Sequence, residues 1–121
     1  MATYLRRALP AGFAVLAGPN PPDELGFRTD RLQILWNDSN DCWVDPGQHY
    51  HAESDEVFIV LKGALELEAE DECFTLGPGE MCVFPAGVSH AVVKVHPPIN
   101  HLVIRVPARQ DKVYRGEGVE R

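Results

Sequence analysis

Glycine and proline interrupt this sequence so often that no stretch sustains the 3.6-residue apolar period of a helix. Ten glycines and ten prolines are spread over 121 residues, and both residue types destabilise a helix interior. Between them lie short runs with the two-residue period of a strand that buries one face. In Arg31–Trp36, Leu32, Ile34 and Trp36 alternate with Arg31, Gln33 and Leu35, and Leu65, Leu67 and Ala69 alternate with Glu66, Glu68 and Glu70. Glu56–Lys62 is apolar on both faces and reads as a central strand ended by Gly63. Phe13–Leu16, Cys42–Val44, His49–His51, Cys73–Leu76, Met81–Phe84, His90–Val95 and Leu102–Val106 complete the set, with Glu70-Asp71-Glu72 as a hairpin tip and His96-Pro97-Pro98 as a bend. About nine short strands at this spacing predict an all-β sandwich or barrel.

The length suits one domain, 1–121, with residues 107–121 reading in isolation as a polar tail. A net charge of −7 argues against nucleic acid and acidic membrane surfaces as partners. Cys42, Cys73 and Cys82 are an odd number without C-x-x-C spacing, which fits free thiols in a reducing compartment. Arg6 and Arg7 before the apolar run Ala8–Ala17 loosely imitate an export signal, but Pro10 and Gly12 interrupt the run and no A-x-A site follows. No stretch approaches the ~20 apolar residues of a membrane span. The expected location is cytoplasmic.

Four residues stand at spacings that point to chemistry. His49 and His51 are two apart, so on a strand both rings leave the same face. Glu56 follows after a four-residue connection, and His90 after a further hairpin and turn. Imidazole nitrogens with one carboxylate suit a divalent transition metal ion such as Fe, Mn, Ni, Cu or Zn. Four such ligands leave an octahedral ion with positions for water, oxygen or substrate. A lone strand histidine is usually a surface or satisfied core residue, and His-x-His occurs by chance, so the surrounding sequence matters.

From Gly47 the chain reads G-Q-H-Y-H-A-E-S-D-E-V-F-I-V-L-K-G, and from Gly79 it reads G-E-M-C-V-F-P-A-G-V-S-H-A-V-V-K. These segments resemble the two motifs of the cupin superfamily, motif 1 over about 47–63 and motif 2 over about 79–94. The short spacer Ala64–Pro78 resembles that of the compact single-domain microbial cupins. The resemblance implies a small jelly-roll β-barrel with one metal ion held by His49, His51, Glu56 and His90. It also implies a homodimer as the common assembly. Similar barrels act as dioxygenases, decarboxylases, isomerases and epimerases, and others only bind ligands, so the fold does not choose among them.

The expectation is a metal-dependent, Fe- or Mn-type dioxygenase-like enzyme on a small oxygen-rich or anionic substrate. The alternatives are a non-enzymatic binding cupin and a metal-dependent sugar or sugar-phosphate isomerase. Lys94 stands where the second motif commonly ends in Asn and shares strand parity with His90. It and Arg105 are the candidates to orient an anionic group, each against the alternative of a solvated charge. Phe58, Tyr50, Trp43 and Phe84, together with Trp36, are candidates for an aromatic pocket wall. His96 and His101 flank the proline bend and read as exposed.

Overall fold

The structure is a computed structural model that describes residues 4–22 and 24–115. It has nine strands: β1 (Gly12–Gly18), β2 (Phe27–Arg28), β3 (Gln33–Ser39), β4 (His49–His51), β5 (Asp55–Ala69), β6 (Glu72–Leu76), β7 (Met81–Phe84), β8 (His90–Val106) and β9 (Lys112–Tyr114). One path of hydrogen-bonded neighbours runs β2-β1-β3-β8-β4-β9, and β5 pairs with β6, β7 and β8. The architecture is a jelly-roll barrel, and all nine elements of the described residues are strands. Among the described residues, no helix is long and apolar enough to cross a membrane. Part of the apolar run after Arg7 forms β1, which pairs antiparallel with β3.

β5 and β8 form one long antiparallel ribbon, from Asp55 opposite Val106 to Ala69 opposite His90. Here the structure corrects two sequence-based boundaries. Gly63 does not end a strand, and His96-Pro97-Pro98 does not separate two. Instead these irregularities face each other inside the ribbon, where the register shifts on both sides of Lys62. Gly63 has φ +76°, and a Cβ there would lie 2.3 Å from the Pro98 carbonyl oxygen and 2.7 Å from that of His96. Bulges of this kind bend a strand without ending it. The bend turns the ribbon back on itself, and Val60, Leu65, Leu67 and Ile99 beside it are fully buried.

A second register shift falls where Glu66 opposes Lys94 and Leu67 opposes Val92. The extra residue, Val93, reverses the parity of the strand. Lys94 is therefore exposed, and its ammonium lies outside the barrel rather than beside His90.

Cys42–Val44 forms no strand. Asp45 hydrogen-bonds to β8, through its N–H to the Val92 carbonyl at 2.9 Å and through its Oδ2, which accepts from the Val92 N–H at 2.8 Å. Pro46 follows with no N–H to extend a ladder. The supposed tail is in part structural, since residues 112–114 are β9 against β4; residues 116–121 lie outside the described residues. The hairpin tip stands as expected, with Ala69 opposite Glu72 and Glu70 at φ +58°.

Gly63→Ala tests the bend. It places a methyl group on two backbone carbonyls in a left-handed conformation, and we expect it to cost about 3 kcal/mol in urea denaturation. A loss below ~0.5 kcal/mol would show that the ribbon bends without this glycine.

Candidate metal centre

β4 sends His49 and His51 to one face and Tyr50 to the other. Glu56 is the second residue of β5 and His90 the first of β8, and His49 pairs directly with His90 across β4 and β8. His49, His51, Glu56 and His90 are 4, 3, 6 and 1% exposed. Each offers one ligand atom, and these atoms all lie within 4.8 Å of one another. His90 Nε2 is 2.6 Å from Glu56 Oε1, and His51 Nε2 is 3.3 Å from Glu56 Oε2. The His49 ring lies 4.6 Å from that of His90 and 5.3 Å from that of His51, centroid to centroid.

The donor set fits a metal ion. His90 Nδ1 faces the Val88 carbonyl oxygen at 3.0 Å. A carbonyl only accepts, so Nδ1 carries the hydrogen and a neutral ring turns its Nε2 lone pair toward the Glu56 carboxylate. Two acceptors at 2.6 Å need a cation or a proton between them. His49 Nδ1 and His51 Nε2 are buried without a hydrogen-bond partner among the described residues. Unpaired buried nitrogens are costly unless something absent from the protein satisfies them. These four residues could hold a metal ion.

Comparison with known proteins agrees. The cupin-domain family Cupin_2 matches residues 43–97. A cupin protein from Bacteroides fragilis superposes with a TM-score of 0.67 at 16% identity, over 96% of this chain and 94% of its own. Residues 43–97 match a cupin domain, and the fold is that of a cupin protein. KdgF from Halomonas sp. gives a TM-score of 0.56 at 28% identity, covering 69% of this cupin and 76% of that chain. The DMSP lyase DddQ from Ruegeria pomeroyi DSS-3 gives 0.60 at 24% identity over 86% of this cupin. The cupin spans about half of that lyase, 51% of its chain. No curated protein matches the sequence significantly.

The cluster opens on a cavity of about 380 Å³ whose walls include His49, Glu56, Phe58, Trp43, His101 and Lys112. Its floor follows from the register. Phe58, Val103 and Leu35 oppose one another across β5, β8 and β3, and one inward step further stand Val60, His101 and Asn37. Of the aromatic candidates, Phe58, Trp43 and Trp36 line the cavity. Tyr50 and Phe84 are not among the lining residues; Phe84 stacks on His90 at 4.1 Å with the rings 2° from parallel, which fixes that ligand's plane.

Neither proposed anion anchor lines the cavity. Arg105 opposes Glu56 on β8, where its Nε lies 3.9 Å from Glu56 Oε2 and its guanidinium donates to the Gln33 side-chain oxygen. It backs the cluster rather than facing the cavity. Lys112 is the lysine of the cavity wall.

Sequence reading also missed His101. It is buried, only 4% exposed, and stacks on Trp43 with ring centroids 5.9 Å apart. His96 is the exposed one, paired with Glu66 at 2.5 Å. The signal for His101 was its parity with Val103 on β8. Asp111 and Lys112 carried no signal in a polar segment.

Burial opposes ionisation of Glu56, but a proton carried by His51 or His90 would add a hydrogen bond and a charge that outweigh it and hold the Glu56 pKa far below the usual carboxylate range. Burial, followed by the charges of His90 and Lys112, lowers His49 from 6.5 to about 4. Burial alone takes His101 from 6.5 to about 4. Between those values the unfolded chain binds the proton and the folded one does not. Stability is therefore full above about pH 6.5 and falls as pH drops toward 4. His101→Gln should remove about 3 kcal/mol of that acid loss in urea titrations at the two pH values. Equal acid losses in the two proteins would take His101 out of the account.

Proposed function

We propose that this cupin is a metal-dependent enzyme of dioxygenase type, acting on a small oxygen-bearing, anionic substrate. The observation that carries this reading is where the cluster sits. His49 and Glu56 form part of the cavity wall, so an ion held there faces space that a small molecule can fill. His49, His51, Glu56 and His90 would hold a first-row divalent metal ion. Once bound, the metal polarises substrate oxygens and, if redox-active, supports chemistry with dioxygen.

The chain's own residues do the rest. Leu35, Phe58, Val92 and Val103 give the cavity apolar walls that exclude water from the bound substrate. Lys112 takes the anchoring role that the sequence offered to Lys94 and Arg105. A second reading, a sugar or sugar-phosphate isomerase, is favoured by Asp45 and Lys112. Their charges both act on His49, and together they would make a carboxylate and an ammonium able to exchange a proton with substrate.

Elemental analysis of protein purified without added metal is the first test, paired with an oxygen electrode after iron loading. Near-stoichiometric iron, with oxygen uptake on adding a diol, thiol or keto acid, is expected. Stoichiometric zinc or nickel without oxygen uptake would overturn the dioxygenase reading in favour of the isomerase or a binding module. His51→Ala and Glu56→Ala should each abolish stoichiometric metal binding, and full occupancy in both would refute the site.

A homodimer belongs to the same proposal. Val83, Val57, Ile104 and Ile34 form one cross-strand row on β7, β5, β8 and β3, and Met81, Ile59 and Leu102 form the next. On β5 and β8 these side chains alternate with the cavity-lining Phe58 and Val103, and Met81 is 61% exposed. A second copy would cover this uncharged face through its own equivalent rows. Met81→Glu with Val83→Lys should shift sedimentation from dimer to monomer; a wild type that sediments as a monomer would end the idea.

A further inference from the structure

Residues 111–115 lie along the strand that carries His49 and His51. β9 pairs with β4 residue for residue, with Tyr114 opposite His49, Val113 opposite Tyr50, and Lys112 opposite His51. Both ends of this strap are pinned. At one end the Arg115 N–H donates to the Gln48 carbonyl at 2.9 Å, and its guanidinium to the Gln48 side-chain oxygen at 2.8 Å. At the other, the Ala52 N–H donates to the Asp111 carbonyl at 3.0 Å. The N–H groups of Glu53 and Ser54 each donate to Asp111 Oδ2 at 2.8 Å.

The second carboxylate oxygen, Oδ1, lies 3.1 Å from His51 Nδ1, and the side chains of His51 and Asp111 are only 2% and 4% exposed. An ionised carboxylate accepts and does not donate, so Nδ1 must carry the hydrogen. A neutral imidazole has one N–H, and placing it on Nδ1 leaves the Nε2 lone pair bare. Nε2 is the His51 nitrogen that lacks a hydrogen-bond partner and faces Glu56. Arg105 also approaches Nδ1, at 3.4 Å. The Asp111 contact is shorter and joins a donor to an ionised acceptor, so it decides the tautomer.

We propose that Asp111, on the C-terminal strap, is a positioning residue that fixes His51 as the Nδ1–H tautomer and aims a bare Nε2 into the cluster. The metal site is then built from two distant parts of the chain. Residues 49–90 supply the ligands, and the strap sets the state of one of them. The proposal deepens the metal-centre reading and rests on it. Outer partners of this kind typically change metal affinity 10–100-fold.

Asp111→Asn is the discriminating variant. Its amide oxygen can still accept from Glu53 and Ser54, while its NH₂ presents a donor to His51 Nδ1. The proton then belongs on Nε2, where it competes with a metal ion. Asp111→Ala, by contrast, also releases the 53–54 backbone. We expect zinc titration by calorimetry to show 10–100-fold weaker binding in Asp111→Asn, with the metal-free Tm close to wild type, and a lower Tm only in Asp111→Ala. Nitrogen-15 shifts of the His51 ring in metal-free protein give a readout that needs no metal. They should show Nδ1 protonated in the wild type and bare in Asp111→Asn. Unchanged zinc affinity in Asp111→Asn, or a wild-type His51 with bare Nδ1, would overturn the proposal. A wild type that keeps Nδ1 protonated yet binds no zinc would refute the metal reading and leave the tautomer assignment standing.

Discussion

Everything in this barrel depends on one antiparallel ribbon that is long enough to bend back and meet itself. Glu56 lies near one end of the β5–β8 ribbon, opposite Arg105, and His90 lies at the other, opposite Ala69. In a straight ribbon those ends would be tens of ångströms apart, at about 3.3 Å per residue. Yet His90 Nε2 and Glu56 Oε1 are 2.6 Å apart. The bend at Gly63, against the His96 and Pro98 carbonyls, is therefore as much a part of the site as the ligands. Apolar packing around Val60, Leu65, Leu67 and Ile99 holds it closed.

The closure creates an electrostatic problem that the surroundings partly solve. Three imidazoles and a carboxylate are removed from water together, with Glu56 held against the Nε2 atoms of His51 and His90. Val88, Phe84 and Asp111 hold the rings in place through a carbonyl, a stacked face and a carboxylate respectively. What the protein does not provide is a partner for His49 Nδ1 and His51 Nε2. The strain of burying polar groups is thus concentrated on the side where an ion would sit. It is relieved on the side away from it.

Alternation and turn chemistry in the sequence revealed the strand content, and the resemblance of its two motifs to those of cupins implied the jelly roll and the four clustered residues. Sequence reading failed where two distant irregularities compensate. Gly63 and Pro97-Pro98 each look like a break, and only their juxtaposition makes them one bend. Lys94 failed for a related reason, since a single extra residue at Val93 reverses every later side chain until the next shift. His101 was obscured by its proximity to that bend, although its parity with Val103 pointed inward. Asp111 was beyond reach, because its role depends on a pairing between β4 and β9 that no local pattern encodes.

The strap has one more consequence, and it concerns traffic. With β8 on one side of β4 and β9 on the other, the His-x-His strand has no open edge. Among the described residues, the cavity that His49 and Glu56 line is the side from which an ion would reach the cluster. On the proposed reading, metal and substrate would share that door, with the ion seated deeper and the organic molecule behind it. A molecule lodged there would cork the vessel, so resistance to a chelator becomes a clock that reports how long the cavity stays filled.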